Sequence, residues 1–195
     1  MLISDSPRFL FIAVPKTGTS SIEEVLGAHA SCDYPTFNKH ALLSVVRESL
    51  NEPEPRFTFA FVRDPYDWIV SWFFYRKRPE LADPEHPRHF AYTGHMGFDE
   101  FLDTFAEREI FLRQTDFISD ADGDVRLDYL GRFETLEEDF ARLCHKLGLP
   151  RTPLPRLRRS DRTDTDTLWT PRNRRIVNLY FEKDFEKLGY SICEQ

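Results

Sequence analysis

The sequence from Phe9 to Leu26 reads FLFIAVPKTGTSSIEEVL and decides the fold. Its first six residues are all apolar, which is typical of a central strand in a parallel sheet whose two faces are covered by helices. A short loop with one lysine, one glycine and four hydroxyl side chains follows, and then a pattern typical of a helix. Because ligands commonly bind where such strands end, we expect a binding site in this loop.

The loop has the residues of an anion site. Thr19, Ser20 and Ser21 can cap the following helix, and the amides of Gly18 through Ser21 are expected to point outward at the positive end of the helix dipole. Lys16 adds a cation, and Gly18 lets the backbone approach a ligand closely. The lysine precedes the only glycine, which disfavours a Walker A loop for ATP or GTP. An ordinary strand, turn and capped helix has the same pattern, so this stretch alone leaves both interpretations open.

The composition limits the class of protein. A chain of 195 residues is long enough for one α/β domain and short for two. The net charge of −7 argues against a general affinity for nucleic acid or anionic membranes. Residues 151–175 nevertheless contain eight Arg and three Asp, which suits either a solvated loop or the wall of an anion site.

The cysteines and the apolar runs predict the compartment. The three cysteines (Cys32, Cys144 and Cys193) are far apart and form no CxxC pair, which favours a reduced compartment without a zinc site. No apolar run approaches the roughly 20 residues that cross a bilayer, and the first residues do not resemble a secretory signal. We therefore expect a cytoplasmic protein, provided that Met1 is the natural start.

A second informative stretch begins at Phe57 with FTFAFV, another apolar run predicted to be a central strand. Arg63 follows directly, so it is expected at the carboxyl end of that strand. Asp64 followed by proline predicts a helix start, and Ser71 lies about two turns further along the same helix face. Arg63 and Ser71 can therefore face one anion. The alternative is an Arg63 paired with Asp67 beside an ordinary core helix.

Several weaker patterns continue the alternation of strands and helices. Residues 129–133 are predicted to form a third parallel strand, followed by a helix that Thr135 and Glu138 cap. We expect a hairpin or a small strand pair over residues 117–127 and a last helix over residues 171–188. The His- and Pro-rich residues 78–97 lack a period and are expected to form a lid or to bind the acceptor. His40, at the start of a helix predicted over residues 40–50, either faces a cleft or caps that helix.

The two motifs together resemble a known family. PKTGTSS after one strand and FVRDPYDWIVSWF after another resemble the cofactor motifs of the sulfotransferases that use 3′-phosphoadenosine 5′-phosphosulfate (PAPS). GRFETLEEDF at residues 131–140 and NLYFEKDFEKLGY at residues 178–190 resemble stretches of the carbohydrate-type and bacterial members. The resemblance implies one α/β domain over residues 1–195, with a central parallel sheet flanked by helices in a P-loop NTPase-like sulfotransferase fold. The C-terminal RKGxxGxWK pattern of the cytosolic aryl and steroid branch is absent from the sequence.

The resemblance also implies roles for single residues. The residues that match the 5′-phosphosulfate loop are Lys16, Thr17, Gly18, Thr19, Ser20 and Ser21. Arg63 and Ser71 would bind the 3′-phosphate, and Lys16 would neutralise the leaving phosphate. His40 lies where several members keep a catalytic histidine, and Glu23 or Glu24 is the alternative base. An arginine would also close over the nucleotide, but no motif chooses among Arg158, Arg159 and Arg162.

These roles describe an enzyme that moves a sulfuryl group from PAPS to an acceptor hydroxyl and releases adenosine 3′,5′-bisphosphate. A sugar hydroxyl is the first candidate for the acceptor, and we expect no metal. Two other functions stay open. A P-loop kinase acting on a small molecule would need a Walker A lysine after glycine and magnesium ligands, and neither pattern is found. A non-catalytic nucleotide-binding protein could keep Lys16, Arg63 and Ser71 without transfer.

Overall fold

A computed structural model of the chain describes residues 1–31, 37–52, 54–108, 112–155 and 165–193. These residues form two compact units. The first consists of residues 1–63 and 113–155, and the second consists of residues 64–112 and 165–193. The first unit contains the sheet and the predicted phosphate loop, and in the second the described residues form helices and turns. The single domain over residues 1–195 stays a prediction.

The sheet of the first unit has four strands in the order in which they occur along the chain. They are β1 (Leu2–Asp5), β2 (Arg8–Ile12), β3 (Phe57–Val62) and β4 (Tyr129–Arg132). Strands β2, β3 and β4 run parallel, which confirms the three predicted strands. Strand β1 pairs antiparallel with β2 at the edge and was not predicted, because four residues are too few to show a period.

The described residues contain eight α-helices. They are α1 (Thr19–Leu26), α2 (Leu43–Leu50), α3 (Pro65–Arg76), α4 (Phe98–Arg108), α5 (Gln114–Ile118), α6 (Leu136–Lys146), α7 (Pro171–Tyr180) and α8 (Glu182–Leu188). Short 3-10 turns occupy Gly27–His29, Pro79–Ala82, His89–Ala91, Phe133–Thr135 and Thr165–Leu168. The mixed α/β class is as predicted, whereas the P-loop NTPase-like fold stays a prediction.

Aromatic side chains on one face of the sheet fix the first helix against the strands. Phe11 of β2 stacks on Phe59 of β3 with ring centroids 5.1 Å apart, and both are fully buried. Ile22 of α1 and Phe140 of α6 belong to the same apolar cluster. Burying each of these side chains stabilises the fold by about 1.5–3 kcal/mol. The loop between β2 and α1 is therefore held at both ends by packed elements.

The second unit has an aromatic core built from helices. Trp68 of α3 meets Phe181 edge to face, with ring centroids 5.6 Å apart. Phe73 of α3 packs in the same way against Phe98 of α4 at 5.2 Å. Helix α4 contributes an apolar stripe to this core, since Phe98, Phe101, Leu102 and Phe105 are all buried.

Four local predictions are wrong in whole or in part. Phe117 lies in helix α5 rather than in a strand, and only a single antiparallel bridge between Ser119 and Val125 closes the predicted turn. Thr135 is the N-cap residue of α6, as predicted, but its side chain makes no capping hydrogen bond, and its hydroxyl donates to Asp139 Oδ2 at 2.7 Å. The predicted last helix is interrupted at Phe181, which separates α7 from α8. Helix α2 begins at Leu43 rather than at residue 40.

Candidate functional site

The loop between β2 and α1 has an unusual backbone. Lys16 has a φ of 66° and Gly18 has a φ of 81°, so both adopt the left-handed conformation. That region disfavours a residue with a Cβ, and such strain clusters at functional sites. A Cβ at Gly18 would also lie 2.7 Å from Leu136 Cδ2. Position 18 therefore needs glycine for its conformation and for its close packing.

The amide groups of the loop differ in whether they donate a hydrogen bond within the protein. The amide of Ser21 donates to the carbonyl of Gly18 at 3.0 Å, so it does not point outward as predicted. Among the described residues, the amides of Gly18, Thr19 and Ser20 donate no hydrogen bond to the protein. Three such donors at the positive end of a helix dipole suit an anion.

The hydroxyl groups of the loop have structural partners. Helix α1 begins at Thr19 with Gly18 as its N-cap and has no side-chain cap, so the predicted capping by Thr19, Ser20 or Ser21 is wrong. Thr17 Oγ1 donates to the carbonyl of Val14 at 2.8 Å and is fully buried. Thr19 and Ser21 are buried as well, whereas Ser20 is partly exposed. The hydroxyl of Thr17 is therefore committed to the structure of the loop itself.

His40 is held against the start of the loop. Its Nδ1 lies 2.6 Å from the carbonyl oxygen of Ala13, the residue that follows β2. A proton on Nδ1 donates to this carbonyl, which leaves Nε2 as an acceptor. Burial lowers the pKa of His40 and the Lys39 ammonium lowers it further, while the hydrogen bond to Ala13 opposes both. The ring is therefore uncharged at neutral pH, as a general base requires.

The carboxylate of Glu23, in helix α1, is committed to cations. Its Oε2 pairs with Lys39 Nζ, and its Oε1 accepts a hydrogen bond from the amine of Met1 at 2.7 Å. Burial alone would raise the pKa of Glu23, but the hydrogen bonds from Lys39 and Met1 hold it below its usual value. Lys39 Nζ also donates to Ser20 Oγ at 3.4 Å. An ionised, paired Glu23 is a poor alternative to His40 as a base.

Arg63 follows the last residue of β3, as predicted, and is only 5% exposed. Its backbone N–H donates to Gln114 Oε1 at 2.8 Å, and its carbonyl accepts from Gln114 Nε2 at 2.7 Å. Its guanidinium carbon lies 4.1 Å from the ring centroid of Phe133. The same ring is 3.6 Å from the place that a Cβ on Gly18 would occupy. Phe133 thus lies close both to Arg63 and to the loop between β2 and α1.

Ser71 and three arginines were also predicted to contact the nucleotide. Ser71 is buried in α3, whose predicted N-cap is confirmed because Asp64 accepts a hydrogen bond from the amide of Tyr66 at 2.9 Å. Ser71 belongs to the second unit and Arg63 to the first, so their shared phosphate contact stays a prediction. The candidate arginines (Arg158, Arg159 and Arg162) lie outside the described residues.

The His- and Pro-rich residues 78–97 form a series of turns. His89 Nδ1 lies 2.9 Å from the carbonyl of Leu81, and His86 Nδ1 accepts from the amide of Arg88 at 3.0 Å. Phe90 is 86% exposed. Within the described ranges, no three His, Cys, Asp or Glu side chains are placed to hold a metal ion. The lid or acceptor role of this segment stays a prediction.

Comparison with known proteins identifies the family. The sequence profile of the Sulfotransferase family matches residues 1–191 and so covers every described site residue. The chain belongs to a sulfotransferase family. No curated protein is a significant match to this sulfotransferase. Across the described residues, we find no helix with both the length and the apolar character that a bilayer span needs.

Two residues of the candidate site, Gln114 and Phe133, were not identified from the sequence of this sulfotransferase. Gln114 carries no recognisable signal, because a single polar residue ahead of a short apolar pair is common in any chain. Phe133 could have been found, since it directly follows β4 and therefore lies near the carboxyl edge of the sheet. That edge also carries Arg63 and the phosphate loop, each at the end of a neighbouring parallel strand.

Proposed function

We propose that this protein transfers the sulfuryl group of PAPS to a hydroxyl group of an acceptor molecule. Membership of a sulfotransferase family supports sulfuryl transfer in general. One observation carries the proposal further. The stretch from Ala13 to Ser20 contains both the amides of Gly18, Thr19 and Ser20 and the carbonyl that holds the ring of His40. An anion and a base would therefore meet at one loop.

In this proposal the loop binds the 5′-phosphosulfate. The amides of residues 18–20 donate to its oxygens, and Lys16 supplies a full positive charge. PAPS contributes an activated sulfuryl group whose leaving group is a phosphate. Lys16 and the amides stabilise the negative charge that develops on that phosphate during transfer. The strained φ of Lys16 supports this role, because it sets the direction in which the side chain leaves the loop.

Arg63 and Ser71 bind the 3′-phosphate of the nucleotide. The guanidinium can donate to two phosphate oxygens, and a hydrogen bond of this charged kind contributes about 1.5–3 kcal/mol. Arg63 directly follows β3, and the carboxyl ends of parallel strands are where such sheets commonly bind ligands. A nucleotide that carries both phosphates would therefore bind more tightly than one that lacks the 3′-phosphate.

His40 acts as the general base. Its Nε2 accepts the proton of the acceptor hydroxyl while the hydroxyl oxygen forms a bond to sulfur. The bond between sulfur and the bridging oxygen breaks, and its electron pair leaves with the phosphate, as in the related phosphoryl transfers. The carbonyl of Ala13 stabilises the imidazolium that results, because it accepts the Nδ1 proton throughout.

The acceptor is proposed from the branch that the sequence resembles. A sugar hydroxyl is the first candidate, and residues 78–97 are the segment that we assign to acceptor binding. The exposed ring of Phe90 in that segment offers a flat apolar surface of the kind that packs against a sugar ring.

A transfer assay tests the proposal. PAPS with a labelled sulfuryl group is incubated with the protein and a panel of carbohydrate and other hydroxyl compounds. We expect labelled product with at least one acceptor, and a fall in turnover of about 100-fold or more in Lys16→Ala. Lys146→Ala, an exposed lysine of α6, serves as the control. Phosphate transfer from ATP and magnesium, without sulfuryl transfer, would instead identify a kinase.

A further inference from the structure

We propose that Gln114 is a positioning residue, which holds the main chain of Arg63 so that the guanidinium meets the 3′-phosphate of the nucleotide. The inference rests on the proposed function, because it takes Arg63 as the ligand of that phosphate. Gln114 belongs to no recognised motif, and we do not propose that it contacts the ligand itself.

The carboxamide of Gln114 takes the place of a neighbouring strand. The pairing of β3 with β4 ends at Val62 and Arg132, so the N–H and C=O of Arg63 lie beyond the ladder. Gln114 is fully buried and pairs with both groups, accepting at 2.8 Å and donating at 2.7 Å. The folded protein loses stability when a buried backbone N–H or C=O is left without such a partner. The side chain therefore determines where the backbone of Arg63 lies.

The far end of Arg63 is held independently. Its guanidinium lies over the ring of Phe133 at 4.1 Å, a distance at which a cation is attracted to an aromatic face. The side chain is thus fixed at its backbone by Gln114 and at its charged end by Phe133. Because a preorganised arginine loses little conformational freedom on binding, its contact with a phosphate is stronger.

A positioning role differs from a structural role in what it changes. If Gln114 only stabilised the fold, its substitution would lower the affinity for all nucleotides by the same factor. If it positions Arg63, its substitution would lower only the part of the affinity that the 3′-phosphate contributes. The informative quantity is therefore the ratio of the affinities for adenosine 3′,5′-bisphosphate and for AMP, which differ only in that phosphate.

The test compares this ratio among variants by calorimetry. Gln114→Met keeps the length of the side chain but neither donates nor accepts, and Arg63→Ala removes the proposed ligand. Thr58→Val is the matched control, because Thr58 is equally buried near the other end of β3 and hydrogen-bonds to a backbone carbonyl. We expect Gln114→Met to lower the ratio by about tenfold or more and Thr58→Val to leave it unchanged.

A second variant covers the case in which Gln114→Met does not fold. In Gln114→Glu an ionised carboxylate can accept from the amide of Arg63 but cannot donate to its carbonyl, whereas the protonated acid can do both. We expect its ratio to rise, relative to the wild-type ratio at the same pH, as the pH falls.

Each outcome separates the two claims. A wild-type ratio near one would contradict the proposed function itself. A high wild-type ratio that Arg63→Ala abolishes and both Gln114 variants retain would overturn the positioning role and leave the proposed function intact. A ratio that Thr58→Val lowers as much as Gln114→Met would also overturn it, because the effect would then follow from general destabilisation.

Discussion

The Nδ1 atom of His40 lies 2.6 Å from the carbonyl oxygen of Ala13, the residue that leads from β2 into the phosphate loop. This hydrogen bond joins the segment before α2 to the segment before α1. It also selects the ring tautomer, because a proton on Nδ1 leaves Nε2 available as an acceptor. The proposed base, His40, and the proposed anion donors, the amides of the loop, are therefore both positioned by the carboxyl end of β2.

The first prediction concerns His40→Asn. The asparagine amide can still donate to the carbonyl of Ala13, but it has no basic nitrogen. We expect kcat for sulfuryl transfer to fall by about 10² to 10⁴-fold, while the affinity for adenosine 3′,5′-bisphosphate changes little. Steady-state kinetics and calorimetry on the same preparation measure both. A variant with near wild-type kcat would show that the base lies elsewhere.

The pH dependence of the rate gives a second prediction. His40 must be neutral to accept a proton, and its pKa is lowered from 6.5 by burial and then by Lys39. The kcat/KM value should therefore rise with pH to a plateau, with a midpoint below pH 6.5. In Lys39→Met the cation that disfavours imidazolium is lost and the carboxylate of Glu23 remains, so the midpoint should move to higher pH.

The control for this shift is Lys146→Met. That lysine is exposed in the last turn of α6, and its loss changes the net charge equally. Its kcat/KM midpoint should match that of the wild-type protein. An unchanged or lowered midpoint in Lys39→Met would refute the electrostatic link between Lys39 and His40.

Substitutions at two glycines with nearly the same φ distinguish the cost of backbone strain from the cost of crowding by a neighbouring side chain. Gly18 and Gly123 have φ values of 81° and 83°, but only Gly18 has a neighbour where a Cβ would lie, Leu136 Cδ2 at 2.7 Å. We expect Gly123→Ala to reduce the free energy of unfolding by about 1 kcal/mol, and Gly18→Ala to reduce it by about 2–4 kcal/mol. Urea denaturation measures both.

Of these two substitutions, only the one at Gly18 should change ligand binding. Gly18→Ala is expected to abolish detectable binding of adenosine 3′,5′-bisphosphate, because it moves the amides of the loop. Adding Leu136→Ala removes the close contact, so part of the lost stability should return. Full nucleotide binding by Gly18→Ala would contradict the assignment of this loop to the 5′-phosphosulfate.

Arg56 provides a stability prediction away from the site. Its buried guanidinium pairs with Glu52 at 2.6 Å and with Asp5 at 2.8 Å, and so ties β1 to the start of β3. We expect Arg56→Met to lower the free energy of unfolding by about 3 kcal/mol. Arg8→Met removes a more exposed partner of the same Glu52 and should cost about 1 kcal/mol or less. Equal losses of unfolding free energy in the two variants would contradict the larger contribution assigned to Arg56.

The strands and their ends could be predicted from the sequence. The apolar runs before Lys16 and Arg63 are long enough to identify central strands, and a residue that follows a parallel strand is placed at the ligand-binding edge by topology alone. The Asp-Pro pair at residue 64 also identified the start of α3. These predictions depend on local sequence, which is why they were confirmed.

The contacts that complete the site could not be predicted in this way. Gln114 lies 51 residues from Arg63 along the chain, and Lys39 lies 16 residues from Glu23, so no local period links them. Phe117 was assigned to a strand because a short apolar pair fits either a helix or a strand. Thr135 occupies the predicted N-cap of α6, but its hydroxyl donates to the buried carboxylate of Asp139, a contact that the capping-box pattern does not include.

The most direct test of the central claim is a calorimetric comparison of three nucleotides on the wild-type protein and on Arg63→Ala. We predict that adenosine 3′,5′-bisphosphate binds the wild-type protein at least about tenfold more tightly than AMP, and that Arg63→Ala loses this preference. ATP with magnesium should bind more weakly than the bisphosphate. Tight binding of ATP with magnesium, together with no preference for the 3′-phosphate, would contradict the account.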